Sequence, residues 1–397
     1  MPALTFDAAR RCVIERVEAA RLEPPVETVA LEAAAGRVLA EPVAADRDYP
    51  ALARSVRDGF AVRAADVPGE LEVIGEVRAG ENFNGEVGAW QAVEIMTGAP
   101  VPPGADAIVM IEHVRREGQR AIFAQPAEPG QFINPQASEA HAGEVILHAG
   151  RRLDFAAIAM LAAAGQQCVS VYAAPRVAIL ATGDEIVPVS AKPVDHQIRN
   201  SNAYSLAAQV RRAGGVPEIL PVARDEHTHT QELIERGLGA DLLLISGGVS
   251  AGKYDIVEHV LAGLGAEFFF DRVLIQPGQP LVFGQALGKF FFGLPGNPLS
   301  TMVTFEIFAR AALELLAGQD DVWLPMPQAR LSRDFQHRVG LTRFLPARLT
   351  ADAAEVTPLA WRGSSDVPAL TRANAFLVVD ADRAAWQKGD WIRVLVK

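Results

Sequence analysis

Three short stretches of this 397-residue chain place chemically capable residues directly behind apolar runs. The first, Thr182-Gly183-Asp184-Glu185, follows VAILA and offers a hydroxyl, a flexible glycine and two carboxylates; a capped helix start would use the same residues. In the second, Ser246-Gly247-Gly248-Val249-Ser250 follows LLLI, and two adjacent glycines let successive N–H groups form a nest around an anion, with a hairpin turn as the plainer alternative. The third, Pro295-Gly296-Asn297-Pro298, sits between KFFFG and the helical pattern LSTMVTFEIFARAALELL, so its rigid turn delivers a helix N-terminus with its partial positive charge. Asp255, seven residues after Gly248, reads either as an N-cap or as a metal ligand. The metal role is preferred, because a carboxylate meets a phosphate through Mg²⁺; bare like charges repel.

These stretches do chemistry together only if the elements before them are neighbours. From 173 to 318 apolar strands alternate with helical segments, which predicts a parallel or mixed sheet covered on both faces. In such a sheet ligands gather beyond the carboxyl ends of the strands, where all three stretches fall. The segment 49–139 has a different texture, Gly and Pro punctuating short alternating runs such as LEVIGEVRAG, and predicts a β-rich insertion. It divides an N-terminal unit, 1–48 with 140–172, that includes helical RRLDFAAIAMLAAAG. After 318 short strands return to the end of the chain, which predicts a C-terminal β domain over 319–397.

Composition narrows the class. Lys and Arg total 37 against 48 Asp and Glu, a formal charge of −11 without a basic block, so no phosphate-neutralising nucleic-acid face is expected. Two cysteines, Cys12 and Cys168, make neither a disulfide framework nor a Cys-only metal site and point to a reducing compartment. The first twenty residues space Leu4, Ala8, Val13 and Val17 among charges, an amphipathic helix and not a signal peptide. The longest helix-like apolar run, 153–164, is too short to span a bilayer, so the expectation is a cytoplasmic protein with no membrane span. No phosphate loop ending GK[ST], dinucleotide G-x-G-x-x-G between strand and helix, G-x-S-x-G elbow or H-E-x-x-H helix is present. His227 and His229 sit in polar stretches and read as solvated.

Several longer strings carry a resemblance. TGDE, SGGVSAGKYD, QPGQP and GLPGNPLSTMVTF, with SVRDGFAV at 55–62, IMTGAPVPPGADAIVM at 95–110 and GSSDVPALTRANAF near the C-terminus, closely resemble the MoeA and gephyrin E-domain family of molybdopterin molybdenumtransferases over nearly the whole chain. The resemblance implies an elongated, multi-domain homodimer of α/β plus β-rich domains. Its central α/β domain would be molybdopterin-binding and MogA-like, with a β-rich insertion and a C-terminal β-barrel-like domain. The reaction it implies is insertion of molybdate into adenylylated molybdopterin, with release of AMP and assistance from Mg²⁺. A molybdopterin adenylyltransferase and apo-molybdoenzymes are the implied partners besides a second copy of the chain. Carried over by position, Asp58 and Thr97 of one subunit's insertion would close over Glu185, Asp225, Ser246, Gly247, Gly248, Asp255, Pro295, Pro298 and Ser364 of the other. Glu185, Asp225 and Asp255 would be the metal carboxylates.

The chain departs from the family pattern within motifs. Gln276 and Gln279 stand where the family usually has lysines; Met-Asp-Gly becomes Arg57-Asp58-Gly59, Asp-Asn-Ser becomes Ala53-Arg54-Ser55, Gly-Glu-Asp becomes Ala137-Ser138-Glu139, and Asp-Ser-Asn becomes Asn200-Ser201-Asn202. One reading is that positive charge has moved to Arg54 and Arg57, because an arginine can grip an oxyanion with two hydrogen bonds. The other is a divergent carrier or scaffold with weak turnover, in which Gln276→Lys with Gln279→Lys raises the rate of metal insertion. A role for the α/β domain in the preceding adenylylation is disfavoured by the two flanking β-rich regions.

Overall fold

A computed structural model of the chain describes residues 1–20, 23–248 and 256–397. Its centre is a six-stranded mixed sheet in the order Val216–Ile219, Arg176–Ala181, Leu242–Ser246, Lys289–Leu294, Pro280–Ala286, Glu267–Arg272. The first four strands are mutually parallel and the last two antiparallel. Because side chains alternate along a strand, Val177, Ile179, Leu242 and Leu244 pack under Ser201–Arg212 and the long C-terminal helix, while Ala178, Leu180, Leu243 and Ile245 pack under His227–Gly237 and Ile256–Gly263. The long helix runs Pro298–Thr304 and Arg310–Leu316 with a wider π turn, Phe305–Ala309, between them. Glu306 in that turn accepts from Gln209 Nε2 at 2.8 Å and from Arg212 Nη2 at 2.6 Å, tying it to helix Ser201–Arg212.

The insertion is a second six-stranded sheet, ordered Ala107–Met110, Gly59–Val62, Gln91–Ile95, Gly69–Val77, Arg120–Phe123, Val114–Glu117. Its own core includes Phe60, Leu71 and Phe123. In the C-terminal region Thr342–Leu349 pairs with both Glu355–Pro358 and Ala375–Val379, and Gln328–Leu331 and Trp391–Val396 complete a closed five-stranded barrel. Alternation fills its interior with Leu331, Leu345, Leu377 and Val394. On its outer face Phe344, Phe376, Val378 and Leu395 join the core of the central domain, so barrel and sheet share one apolar contact.

The linking unit pairs Val26–Ala30 with Cys168–Tyr172 and Val43–Ala44 with Val145–Leu147 over a core of Leu39, Leu153, Leu161 and Val171. The first helix was expected to belong with it and does not. Helix Phe6–Ala19, capped by Thr5, turns Phe6, Ala9, Val13 and Val17 into the core of the central domain. There the Phe6 ring meets Phe308 and Phe344 edge-on at 5.8 and 5.4 Å. The stripe of small and aromatic residues fits the groove beside the long helix. Among the described residues no helix is long and apolar enough to cross a membrane.

Candidate functional site

The three strand ends converge. Thr182 N donates to Ser246 O at 3.1 Å and Gly247 N to Leu294 O at 3.1 Å, so the parallel ladder continues into the loops and holds them level. Asn202, in the first turn of helix Ser201–Arg212, fastens them from the side: its Nδ2 donates to Ser246 Oγ at 2.8 Å and to Gly296 O at 2.7 Å. Asn200 caps that helix by accepting from Ala203 N at 3.2 Å. The result is a cleft of about 290 Å³ whose lining includes Thr182, Glu185, Ser246, Gly247, Gly296 and Pro298.

The two glycines are required by this geometry. Gly247 and Gly248 have φ of +92° and +64°. A Cβ on Gly247 would stand 2.9 Å from Thr182 O, and one on Gly248 2.7 Å from Thr182 Oγ1. No side chain fits at either position, so the backbone lies close against the Thr182 strand end. Among the described residues two buried polar atoms at the cleft, Thr182 Oγ1 and Asn202 Oδ1, have no hydrogen-bond partner, one a donor group and one an acceptor. Buried polar groups are almost always satisfied, so this pair is set to meet a ligand or water.

Of the candidate carboxylates, Glu185 lines the cleft. Glu185 packs over Gly183, where an added Cβ would come within 2.5 Å of its Oε2. Asp184 Oδ1 accepts from Asp225 N at 3.2 Å, which brings the Asp225 loop beside it. Asp255, Val249 and Ser250 lie outside the described residues. Among the described residues no group of three or more His, Cys, Asp and Glu stands ready to hold a metal.

A second cleft, of about 380 Å³, adjoins the first at Asn297, which lines both. Gln276 and Gln279 form one wall, Pro295 and Ser300 another, and Trp361 and Ser364 of the barrel a third. Leu299 N donates to Ser364 O at 2.9 Å, pinning the barrel loop to the start of the long helix. The turn between Pro295 and Pro298 is held by Thr301 Oγ1, which donates to Pro295 O at 2.5 Å.

The remaining candidates sit on the insertion, apart from both clefts within one chain. Asp58 Oδ1 accepts from Thr97 N at 2.6 Å and from Thr97 Oγ1 at 2.7 Å, and these two donors hold its carboxyl below the usual range. Arg57 Nη1 donates to Val56 O at 3.0 Å and its guanidinium stands 5.9 Å from the Phe132 ring centroid. Arg54 lines a separate cleft with Arg47, Asp48, Tyr49 and Glu139. Sequence reasoning gave no role to Asn202 or Trp361. Asn202 was legible only as the unaltered end of the departing motif Asn200-Ser201-Asn202.

A mixed sheet whose strand ends line a cleft, flanked by a β-rich insertion and a closed barrel, defines a class that comparison with known proteins makes specific. Residues 4–165 match the MoeA N-terminal region (domain I and II), 178–315 a probable molybdopterin binding domain, and 328–397 the MoeA C-terminal region (domain IV). The chain belongs to the MoeA family. It is 39% identical over 325 residues to the molybdopterin molybdenumtransferase of a Nostoc species, covering 79% of this chain and 74% of that one. It is 35% identical to that of Bacillus subtilis, covering 93% and 89%, and 32% identical to that of Staphylococcus aureus, covering 96% and 94%. A crystal structure of a molybdopterin biosynthesis MoeA protein from Pyrococcus horikoshii OT3 superposes with a TM-score of 0.82 at 27% identity over the full length of both chains.

Proposed function

We propose that this chain is a molybdopterin molybdenumtransferase, which inserts molybdate into adenylylated molybdopterin and releases AMP. The observation that carries this is the convergence of Thr182, Ser246, Gly247 and Gly296 on one cleft that continues past Asn297 to Gln276 and Ser364. An elongated substrate with a phosphoanhydride at its middle matches two clefts joined at one residue. The Gly248 N–H and Thr182 Oγ1 would donate to the phosphate, while Gly247 N stays in the ladder to Leu294 O. Asn202 keeps Ser246 and Gly296 at fixed separation, so the donors need not reorganise as charge develops. Glu185 and Asp225 would hold Mg²⁺, with Asp255 as a third carboxylate by family position; the ion, when bound, polarises the phosphoanhydride.

The same proposal makes the chain a homodimer in which the insertion of one subunit, with Arg54, Arg57, Asp58 and Thr97, closes over the other's cleft. An uncovered apolar surface supports it. Helix Phe155–Ala163 has the sequence FAAIAMLAA, and Phe155 is 89% exposed. A reducing, cytoplasmic setting fits the two free cysteines. The test is to mix purified protein with adenylylated molybdopterin, Mg²⁺ and molybdate and follow AMP. Molybdate-dependent AMP release supports transfer; tight binding of the nucleotide without AMP contradicts it.

A further inference from the structure

The linking unit, which carries the insertion, meets the central domain along a seam whose residues line neither cleft. Arg152 stands in that seam. Its backbone belongs to the linking unit, where it bridges Val38, and its side chain crosses to the central domain. Nε donates to Gln319 Oε1 at 3.0 Å, Nη2 to Ala213 O at 2.6 Å and Nη1 to Gly36 O at 3.4 Å. All three acceptors are neutral, and among the described residues Arg152 makes no ion pair with a carboxylate. A half-buried guanidinium is costly unless its N–H groups are taken up, and here oxygens from three separate segments take them.

Two of those segments are the far ends of the helices that frame the clefts. Ala213 caps the C-terminus of helix Ser201–Arg212, whose first turn places Asn202 in the lining of the first cleft. The guanidinium there meets the negative end of the helix dipole. Gln319 follows the long helix, its N donating to Glu314 O at 3.1 Å, and the other end of that helix brings Asn297 and Pro298 to the cleft. Gly214 makes room for the contact: its φ is +93°, and a Cβ on it would stand 2.9 Å from Arg152 Nη1. Beside it Asp320 N donates to Gly150 O at 3.1 Å.

The insertion is joined to the linking unit by two chain crossings laid side by side, with Tyr49 N donating to Ala140 O at 2.8 Å. Asp48 ties them again, Oδ1 accepting from Ala142 N at 2.9 Å and Oδ2 from Gln136 Nε2 at 2.7 Å. The Tyr49 hydroxyl stands 2.8 Å from Ala163 O, at the end of helix Phe155–Ala163. A tilt of the linking unit about Arg152 therefore carries the insertion with it, and the displacement grows with distance from the seam.

We propose that Arg152 is a positioning residue that fixes the linking unit on the two helix ends and thereby sets where its subunit's insertion meets the partner's cleft. Its effect on catalysis falls on the partner's cleft and not on its own. This rests on the homodimer and transferase readings above; the seam itself does not.

Arg152→Ala is expected to lower kcat for AMP release by about 10- to 100-fold, the scale of an ångström-sized misplacement at a reacting centre. Equilibrium affinity for AMP stays at the wild-type value, because the cleft beside Gly248 is untouched; an equal loss of AMP affinity would place the effect in the chain's own cleft and overturn the proposal. Mixed dimers decide the direction. Chains bearing Arg152→Ala and chains bearing Gly247→Ala are co-expressed with different tags, and dimers holding one of each are purified through both. The intact cleft of the Arg152→Ala chain then receives the insertion of a chain with Arg152 in place, and about half the wild-type rate is expected. With both substitutions on one chain opposite a wild-type chain, the one intact cleft faces the misplaced insertion, and the rate is expected to be no higher than that of the Arg152→Ala dimer. The reverse pattern, or wild-type kcat in folded Arg152→Ala, overturns the proposal and leaves the transferase reading standing. Should Arg152→Ala fail to fold, Gln319→Ala removes one of the three acceptors and goes through the same pairings. If no mixed dimer survives purification through both tags, the homodimer reading fails and the proposal with it. If wild-type dimers form but release no AMP, the transferase reading fails alone, and small-angle scattering judges Arg152: a larger maximum dimension for Arg152→Ala supports the proposal, and an unchanged curve overturns it.

Discussion

The Asn202 amide donates to the Ser246 hydroxyl oxygen at 2.8 Å, joining the first turn of one helix to the end of the central strand. The same nitrogen reaches Gly296 O, so one side chain sets the spacing of two of the three loops that line the first cleft. Asn202→Ala removes both bonds and leaves the part-buried Ser246 hydroxyl without this partner, at about 1–3 kcal/mol. The melting temperature should fall by a few degrees, and kcat/KM for AMP release by more than the stability loss explains. Wild-type kcat/KM in a folded Asn202→Ala protein would show that loop spacing does not limit catalysis.

Gly247→Ala places a methyl carbon 2.9 Å from Thr182 O at a backbone φ of +92°. Strain of about 1–3 kcal/mol is expected, together with loss of nucleotide affinity because the nest distorts. Equilibrium binding of AMP to the folded variant measures this. Gly263→Ala is the control, since a Cβ there meets nothing within 4 Å.

Asp58 is held below the ordinary carboxyl range first by the Thr97 backbone N–H and then by the Thr97 hydroxyl. Its folded pKa is depressed, so its contribution to stability is present above the unfolded pKa and lost as pH falls through the folded one. Thr97→Val removes the hydroxyl and keeps the N–H. The Asp58 titration, followed by carboxyl NMR, should move up toward the ordinary value without reaching it. An unmoved titration would mean that the hydroxyl does not hold the carboxylate.

Arg57→Met and Phe155→Asp probe the dimer from two sides. Removing the exposed guanidinium should weaken molybdate binding and reduce its salt dependence if Arg57 faces the partner's cleft. A charge in the exposed apolar helix should shift the sedimentation coefficient toward that of a monomer and lower AMP release in parallel. A monomeric protein of full activity would remove the insertion from the site.

Much of this was legible in order along the chain. Ser246-Gly247-Gly248 and Thr182-Gly183 announce themselves because they fall directly behind apolar strands of one predicted parallel sheet, at the end where ligands gather. Other features depend on contacts that sequence separation hides. The stripe Phe6, Ala9, Val13 and Val17 says that a face is buried, but not that Phe308 and Phe344 cover it. Asp225 looks like a plain metal carboxylate, yet its backbone is placed by Asp184.

Diffraction from crystals of the protein grown with adenylylated molybdopterin addresses the central claim most directly. The account predicts phosphate oxygens within hydrogen-bonding distance of the Gly248 amide and Thr182 Oγ1, with the rest of the molecule passing Asn297 toward Ser364. A nucleotide seated anywhere else, with the Thr182–Ser246–Gly296 cleft filled only by solvent, would contradict it.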